Sequence, residues 1–282
     1  MLGDKAMNPQ GHFADILTNT LKNYVPFFKS ENAVVFNEDC LAILDSIPEN
    51  SIDMIFADPP YMLSNDGFSC QNGKMANVNK GKWDKSKGFE EDTFFHDEWI
   101  SACRCILKPE GTIWISGTYH SIYQCGYLLQ KNNFHILNDI AWFKPNAAPN
   151  LSCRFFTASH ETILWARKDK KAKHTFNYHA MKNGLFPEDK LKKENTQMRS
   201  VWSMTTPKNE EKEYGKHPTQ KPLDLLKRMV LASTNENDIV LDPFCGSGTT
   251  GVACQCIKNR SFIGIEIDKK YCDLAKNRLT VL

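Results

Sequence analysis

The sequence predicts an α/β fold with a doubly wound, mostly parallel sheet. Short apolar segments of strand character alternate with amphipathic helical segments along most of the 282 residues, the pattern of a sheet with helices on both faces. The near-continuous apolar runs at 51–57 and 111–117 indicate strands buried on both sides. With 41% apolar and 24% charged residues, the composition is that of a globular chain and excludes a disordered or collagen-like one.

Apolar spacing and turn residues place the individual elements. A first helix is predicted over 13–25, because apolar residues recur there at helical spacing and Pro26 follows. Strands are predicted at 33–36, 51–57, 111–117, 134–143, 161–167, 238–241 and 261–267. Further helices are predicted at 41–47, 93–107, 120–131, 222–233, 249–257 and 268–279. The polar stretch 62–92 is too long for a simple connection and is typical of a functional loop.

The segment 168–216 interrupts the alternating pattern. Lys, Glu and Asn dominate it, and its apolar residues lack a regular period. From Arg167 to Arg228 the chain carries 16 Lys/Arg and 8 Asp/Glu, although the whole chain has a net charge of only +2. This uneven charge indicates a polyanionic partner or, alternatively, a solvated lysine-rich loop. We therefore divide the chain into 1–167, an insertion at 168–216, and 217–282, with the outer parts forming one α/β domain.

Patterns for membrane insertion, secretion and metal binding are not found in the sequence. No apolar run of 18 residues occurs, and the N-terminus lacks a basic start followed by an apolar block, so neither a transmembrane helix nor a signal peptide is expected. None of the ten cysteines forms a Cys-x-x-Cys pair, and no zinc-ribbon spacing occurs. We therefore expect a cytoplasmic protein with reduced thiols, no bound metal and no membrane contact.

A glycine-rich loop lies between a predicted strand and a predicted helix. It runs from Asp242 to Gly251, reads DPFCGSGTTG and contains G-x-G-x-x-G. Glu266 follows Gly246 by 20 residues, at the end of the next predicted strand. In dinucleotide-binding folds such glycines allow close approach of the backbone to the cofactor, and the distal acid binds the ribose hydroxyls. The pattern therefore predicts a site for a nucleoside cofactor.

The residues before the first glycine indicate which cofactor this is. In NAD-binding folds the pyrophosphate lies at the helix N-terminus, close to the strand end. The carboxylate of Asp242 would repel pyrophosphate there, but it suits a cationic ligand such as S-adenosylmethionine. Phe244 adds an apolar wall for the adenine or the methionine chain. We therefore favour S-adenosylmethionine and keep an NAD-dependent enzyme as an alternative.

A second motif, Asp58-Pro59-Pro60-Tyr61, directly follows the predicted strand 51–57. Ligands of open α/β sheets bind at the carboxyl ends of strands, and both motifs lie at such ends. An acceptor carboxylate, a rigid backbone and an aromatic ring together suit a flat base with an exocyclic amine. We expect Asp58 and the Pro59 carbonyl to accept the amine N–H groups, which frees the lone pair to attack the sulfonium methyl. Tyr61 would stack on a base that has been flipped out of the duplex.

With these motifs the chain resembles the amino-group DNA methyltransferases of the permuted β type, in which the Asp-Pro-Pro-Tyr block precedes the Phe-x-Gly-x-Gly block. The resemblance covers about Val34 to Leu279 and is supported by further matches at Asn37–Cys40, Trp83–Asp84, Trp114–Ser116 and His217–Pro222. The segments Ala148–Thr157 and Glu161–Arg167 resemble the Dpn-type adenine methyltransferases that modify GATC. The resemblance implies a methyltransferase fold in permuted order, adenine-N6 specificity and a place in a restriction-modification system.

The same resemblance assigns roles to single positions. It implies that the catalytic residues are Asp58, Pro59, Pro60 and Tyr61. The cofactor-binding residues that it implies are Asp39, Cys40, Lys221, Asp242, Phe244, Gly246, Ser247, Gly248, Thr249, Thr250 and Glu266. Among these, the glycine loop would hold the methionine end, Glu266 the ribose, and Asp39 and Cys40 the adenine. The Lys221 segment would close the pocket, or alternatively Lys221-Pro222 simply begins a helix.

The resemblance also assigns the parts of the chain and its partners. It implies that 1–167 is the catalytic half, 217–282 the cofactor-binding half and 168–216 the target-recognition insertion. DNA would contact 168–216 and the 62–92 loop, and the aromatic residues of the insertion would either contact bases or form a small core. Family members often form dimers, so a homodimer and a cognate restriction endonuclease are further partners to test.

Other acceptors and functions remain as alternatives at this point. The fold also serves enzymes that act on cytosine N4, RNA or protein amides, although the resemblance makes Ser or Asn more frequent than Asp at position 58 in those groups. Transfer to a cytosine carbon would need a nucleophilic Cys in a Pro-Cys pair, and the sequence contains none. A non-enzymatic DNA-binding regulator need not retain both the glycine loop and Asp58, and this chain has both.

Overall fold

A computed structural model describes residues 23–62, 84–182 and 196–281, together with residues 21, 68–71, 74–77, 81 and 193. Most of the predicted helix over 13–25 lies outside the described residues, as does Trp83. The strands are β1 Phe28–Lys29, β2 Ala33–Asn37, β3 Ile52–Ala57, β4 Phe68–Gln71, β5 Lys74–Asn77, β6 Leu107–Gly117, β7 His135–Phe143, β8 His160–Arg167, β9 Val201–Ser203, β10 Ile239–Asp242 and β11 Ser261–Glu266. The α-helices are α1 Cys40–Leu44, α2 Phe89–Ile106, α3 Ile122–Lys131, α4 Tyr178–Lys182, α5 Leu223–Ser233, α6 Thr249–Ile257 and α7 Lys269–Thr280.

A nine-stranded sheet in the order β1-β2-β11-β10-β3-β6-β8-β7-β9 forms the centre of the molecule. The strands from β2 to β6 in this order are all parallel. β8 is antiparallel to both of its neighbours, and β9 adds a parallel edge strand beside β7. The prediction of a mostly parallel α/β sheet is therefore confirmed.

Helices cover both faces of this sheet because successive strand residues point to opposite sides. On one face Val34 and Phe36 of β2 pack in a core with buried residues of α1, α2 and α3. On the other face Ala33 and Val35 belong to a second core with residues of α5, α6 and α7. This arrangement confirms the doubly wound fold that the alternating sequence pattern predicts.

Two regions differ from the sequence-based expectation. β4 and β5 form an antiparallel hairpin within the 62–92 stretch, where we predicted only a loop. The missed signal is the Asn72-Gly73 pair between them, because Asn-Gly favours tight hairpin turns. In the 168–216 segment, Trp202 of β9 and Met181 of α4 are buried in the second core, so both side chains pack against the main domain.

The parallel strands end at one edge of the sheet, and this edge carries both sequence motifs. Asp58 follows β3, Asp242 ends β10 and Glu266 ends β11. β8 runs in the opposite direction, so its first residues, His160 and Glu161, lie at the same edge. Within the described residues no helix is long and apolar enough to cross a membrane.

Candidate active site

The Asp58–Tyr61 turn is stabilised by hydrogen bonds to the side chain of Asp84. One oxygen of the fully buried Asp84 carboxylate accepts hydrogen bonds from the backbone amides of Tyr61 and Met62, both at 2.9 Å. Met62 has a positive φ of 56°, a backbone conformation that costs energy for residues other than glycine. These two hydrogen bonds stabilise the turn and fix the direction in which Asp58 and Tyr61 point.

Five side chains from four parts of the chain meet at the catalytic end. Asp58 accepts hydrogen bonds from the Tyr61 hydroxyl through Oδ1 and from Lys221 Nζ through Oδ2, each at 2.5 Å. Lys221 Nζ also donates to the Tyr61 hydroxyl at 3.0 Å and lies 3.6 Å from Glu161 Oε2. The second carboxylate oxygen of Glu161 pairs with Lys144 Nζ at 3.0 Å. The cluster therefore holds two carboxylates and two ammonium groups.

Burial and pairing act against each other on these groups. Burial raises the pKa of Asp58, and the neighbouring Lys221 opposes that rise. Burial also disfavours the ionised form of Glu161, but the charges of Lys221 and Lys144 outweigh it and lower the Glu161 pKa to about 2. Burial would lower the pKa of Lys221, whereas Asp58 and Glu161 raise it. Tyr61 is kept neutral because burial and the adjacent carboxylates raise the pKa of its hydroxyl.

The glycine loop turns sharply between β10 and α6. Gly246 and Gly248 both have positive φ, 50° and 73°, which favours glycine at these positions. A Cβ on Gly248 would lie 2.9 Å from the Cβ of Ala275, so the close packing of α7 against the loop also needs a glycine. The G-x-G-x-x-G pattern thus reflects backbone geometry as well as space for a ligand.

The carboxylate of Asp242 accepts hydrogen bonds from other residues of the glycine loop. Its Oδ1 accepts from the Phe244 amide at 3.0 Å and its Oδ2 from the Thr250 hydroxyl at 2.5 Å. Burial raises the pKa of Asp242 to about 7, and these two donors oppose the rise. These contacts stabilise the loop, and Asp242 also lines a small cavity at the site, so its role toward a cationic ligand stays a prediction.

Glu266 joins the end of β11 to the glycine loop. Its Oε2 accepts from the Gly246 amide at 2.8 Å, and its Oε1 accepts from the Asp268 amide at 2.9 Å. Burial raises the pKa of this carboxyl, while the two backbone amides favour its ionised form. Each oxygen of a carboxylate offers more than one lone pair, so Glu266 can still accept hydrogen bonds from the two hydroxyls of a ribose.

A cavity of about 840 Å³ runs along this edge and brings most of the predicted site residues together. Its lining includes Asp39, Cys40, Asp58, Pro59, Pro60, Tyr61, Phe244, Gly246 and Glu266. A cavity of about 30 Å³ adjoins it and shares Asp58, Phe244 and Gly246. The smaller cavity is lined by the predicted residues Lys221, Asp242, Ser247, Thr249 and Thr250. Gly248 lines neither cavity and serves the turn and the packing of α7.

The large cavity fits S-adenosylmethionine in size and in chemistry. Its volume lies within the roughly 300–1,000 Å³ that is typical of small-molecule sites. Glu266 supplies acceptors for ribose hydroxyls at one end, and the Phe244 ring, packed edge-on against Trp99 at 5.4 Å, supplies an apolar wall. Exposed acidic side chains near Asp39 suit a positively charged ligand. When bound, this cofactor supplies an electrophilic methyl group carried on a sulfonium.

Sequence reasoning did not assign several residues that belong to the site. Glu161 lies close to Lys221 because β8 is antiparallel to β6, and Lys144 pairs with Glu161 in turn. Strand direction is not encoded in local sequence. Lys221 was predicted to close the cofactor pocket, and its ammonium in fact pairs with Asp58 at the catalytic end. The signal that could have found Glu161 is an acid at the start of the mostly apolar segment ETILWAR.

The basic residues that follow β8 lie away from this site. Lys170, Lys171 and Lys173 are exposed and come after Arg167, which pairs with Thr112, five residues before the end of β6 at the catalytic edge. The distance along β8 from Glu161 to this end is six residue steps of about 3.3 Å, or roughly 20 Å. These lysines are therefore at the opposite edge of the sheet from Asp58, where we did not expect them.

The catalytic edge instead carries the β7–β8 connection and the chain after β9. In the connection Phe155 and Phe156 are 68% and 97% exposed and follow the exposed Arg154. Asn150 shapes this loop by donating to the Phe155 carbonyl at 2.7 Å. Asn146 joins it to the chain after β9 through a hydrogen bond to Thr206 at 3.1 Å. An exposed aromatic and basic surface thus lies beside the catalytic cluster.

A doubly wound sheet that carries a glycine loop, Glu266 and an Asp-Pro-Pro-Tyr turn on one cavity defines a class, the S-adenosylmethionine-dependent methyltransferases of permuted order. The DNA methylase family model for N6 and N4 methyltransferases matches residues 52–277. The chain belongs to this DNA methylase family and is a DNA methyltransferase.

Relatives and solved structures agree with this assignment. The chain is 52% identical over 255 residues to the Type II methyltransferase M2.LlaDCHI of Lactococcus lactis subsp. cremoris. This match covers 90% of this chain and 91% of that protein. It is 49% identical over 255 residues to the Type II methyltransferase M2.DpnII of Streptococcus pneumoniae, and the match covers 90% of this chain and 92% of that protein. The crystal structure of the M1.HpyAVI–SAM complex superposes with a TM-score of 0.63 at 32% identity, over 88% of this chain and 98% of that one.

Proposed function

We propose that the protein transfers the methyl group of S-adenosylmethionine to N6 of a flipped adenine in GATC, as the modification enzyme of a restriction-modification system. The observation that carries the proposal is that the large cavity is lined both by the Asp58 turn and by Glu266 and Phe244. A nucleoside cofactor and a base amine can therefore meet at the same edge of the sheet. The Type II relatives support the restriction-modification role.

The choice of adenine rests on Asp58. An exocyclic amine is a poor nucleophile because its lone pair is delocalised into the ring. A carboxylate that accepts one N–H favours pyramidal nitrogen and frees the lone pair. The new C–N bond forms as the C–S bond breaks, and the nitrogen then loses one proton, for which Asp58 is the nearest base. An asparagine or serine at this position would be a weaker hydrogen-bond acceptor. The resemblance implies these residues for enzymes that methylate cytosine N4, RNA or protein amides.

DNA is the expected macromolecular substrate, and we propose that the catalytic edge contacts it. The exposed Arg154 supplies positive charge there, and Phe155 and Phe156 supply faces on which bases can stack. The described lysines at 170–173 are at the opposite edge, so the 168–216 segment would contribute to recognition through its residues after β9. We also propose that 1–167 is the catalytic half, 168–216 the target-recognition insertion and 217–282 the cofactor-binding half.

Incubation of the purified protein with S-adenosylmethionine and a GATC duplex tests this function. Nucleoside mass spectrometry should detect N6-methyladenine, and a duplex with the GATC scrambled should remain unmodified. Methylation of cytosine N4 would overturn the adenine assignment, and methyladenine outside GATC would overturn the site assignment. Protection of the product from a GATC-cleaving endonuclease gives an independent readout.

The remaining partners are also proposals. We propose a homodimer and a cognate restriction endonuclease that forms no stable complex with this chain, both in the cytoplasm where the genomic DNA lies. Light scattering of the purified protein would measure its oligomeric state directly. A monomer at micromolar concentration would contradict the homodimer.

A further inference from the structure

Both oxygens of the Asp58 carboxylate accept hydrogen bonds from side chains of the protein itself. Tyr61 donates to one oxygen and Lys221 to the other, each at 2.5 Å. In the proposed function the target amine must donate to this same carboxylate, so it competes with the donors already present. Lys221 is the stronger competitor because it carries a full positive charge.

The ammonium of Lys221 is also unfavourable for the reaction itself. The amine nitrogen becomes positive as it attacks the methyl group, and a cation paired with the same carboxylate repels that charge. It also withdraws negative charge from Asp58 and makes the carboxylate a weaker acceptor. Methyl transfer should therefore be faster if Lys221 moves away from Asp58 when the amine binds.

Glu161 offers Lys221 a second partner without removing it from the buried site. Glu161 Oε2 lies 3.6 Å from Lys221 Nζ, and the Tyr61 hydroxyl lies 3.2 Å from this oxygen and 3.0 Å from Nζ. Lys144 holds the other oxygen, Oε1, at 3.0 Å and so orients the carboxylate. A movement of about 1 Å would thus turn a 3.6 Å contact into a hydrogen bond of ordinary length.

We propose that Lys221 is transferred from Asp58 to Glu161 when the target amine binds, and that Glu161 is a positioning residue that makes Asp58 available. The inference rests on the proposed function, because it needs an amine that donates to Asp58. The charge of the buried cluster stays balanced throughout, since both carboxylates and both ammonium groups remain in contact. Glu161 itself touches neither the reacting nitrogen nor the methyl group.

The titratable neighbours of Lys221 make the transfer testable by pH. Asp58 and Tyr61 face it from the turn after β3, Glu161 from β8 with Lys144 behind it, and Asp242 and His217 line the small cavity beside it. Glu161 remains ionised at any pH near neutrality, because its pKa is about 2. With an uncharged residue at 161, Lys221 has to lose its proton before it leaves Asp58.

The decisive variant is Glu161→Gln, which keeps the shape of the side chain and removes its charge. We expect kcat at pH 7 to fall at least about tenfold, while calorimetry finds S-adenosylmethionine binding within about twofold of the wild type. The control is Asp97→Asn, which removes another carboxylate paired with a lysine, Lys131 at 2.6 Å, and which does not line the cavity. This control should leave kcat unchanged.

Two further readouts separate positioning from a merely structural role. In Glu161→Gln, kcat should rise with pH between 7 and 10, by up to about tenfold per unit, whereas the wild type stays flat there. In a Lys221→Met background, Glu161→Gln should lower kcat no further. If Glu161→Gln fails to fold, Glu161→Asp replaces it, and its kcat should fall below wild type with a flat pH profile.

Three results would overturn the transfer of Lys221: an unchanged kcat in Glu161→Gln, a lowered kcat without the alkaline rise, or an additive loss in the double variant. A wild-type kcat in Glu161→Asp would do the same where that variant replaces the first. Failure of the proposed function is distinguishable, because the wild-type protein would then produce no N6-methyladenine. If the wild type methylates cytosine N4 instead, the same variants test the transfer on that amine.

Discussion

The Glu266 carboxylate accepts a 2.8 Å hydrogen bond from the amide of Gly246 and so ties the end of β11 to the glycine loop. The loop is therefore positioned by the same side chain that faces the cavity. Removal of this carboxylate takes away a ligand contact and loosens the turn at once. The consequence for the cofactor can be estimated from the strength of hydrogen bonds to charged groups.

Glu266→Ala should weaken S-adenosylmethionine binding by about 1.5–3 kcal/mol, the usual contribution of a hydrogen bond to a charged group. Titration calorimetry with the cofactor measures this change directly. Glu110→Ala is the matched control, because this exposed acid lies near the start of β6 at the other edge of the sheet. Equal affinity in Glu266→Ala and wild type would remove Glu266 from the site. The protein should bind NAD far more weakly than S-adenosylmethionine in the same experiment.

Asp58→Ala should abolish methyl transfer while leaving cofactor binding within several-fold of wild type. Lys221 would remain compensated in this variant, because Glu161 lies 3.6 Å from its ammonium. Asp58→Asn should fail as well, since its NH₂ group presents donors where an acceptor is needed. Tritium transfer from labelled cofactor to DNA gives the rate, and near-normal turnover in either variant contradicts the role of Asp58.

The sequence predicted the parts of this site that depend on local order along the chain. The Asp-Pro-Pro-Tyr turn and the glycine loop each follow a buried strand, and parallel strands bring their ends to one edge by rule. The position of Glu161 depends on the antiparallel direction of β8, and that of Lys170 on where β8 ends. Both are long-range properties of sheet topology, so no local pattern could have fixed them.

Gly248→Ala should lower the free energy of unfolding by about 1–3 kcal/mol, because a non-glycine residue would be strained there. The φ of 73° is unfavourable for alanine, and the new Cβ would lie 2.9 Å from that of Ala275. Lys258→Gly provides the opposite test at the end of α6, where φ 65° and ψ 156° favour glycine. That variant should gain about 1 kcal/mol in chemical denaturation. Changes of the same sign in both variants would refute the backbone argument.

His96 should make the stability of the protein depend on pH. Burial lowers its pKa to about 4, from an ordinary value of 6.5, although the charge of Asp92 opposes this change. Between these values the unfolded chain binds a proton that the folded chain does not, so the free energy of unfolding falls as pH drops from 6.5 to 4.

The size of this effect is at most about 3 kcal/mol, at 1.36 kcal/mol per pKa unit. His96→Gln keeps an acceptor for the indole N–H of Trp99, which donates to His96 Nδ1 at 3.1 Å. Urea denaturation of both proteins at pH 7 and pH 4.5 isolates the contribution of His96. The wild type should lose more stability than the variant, and parallel losses would assign the pH dependence to other groups.

The surface that binds DNA can be located by comparing two sets of exposed side chains. Phe155 and Phe156 lie beside the catalytic cluster, whereas Lys170, Lys171 and Lys173 lie at the other edge of the sheet. Phe155→Ala/Phe156→Ala should weaken binding of substrate DNA by about 1–3 kcal/mol for each base that loses a stacking partner. Fluorescence anisotropy at several salt concentrations measures both the affinity and its salt dependence.

The triple variant Lys170→Ala/Lys171→Ala/Lys173→Ala is the matched comparison. If DNA lies on the catalytic edge, this variant keeps nearly the wild-type affinity and the same slope of affinity against salt. Direct phosphate contacts by these lysines would instead reduce the slope by about 0.9 for each lost contact. A reduced slope, together with unchanged binding in the phenylalanine variant, would place the DNA at the 168–173 edge. Because that edge is roughly 20 Å from Asp58 along β8, DNA bound there would have to extend around the molecule to present its target base.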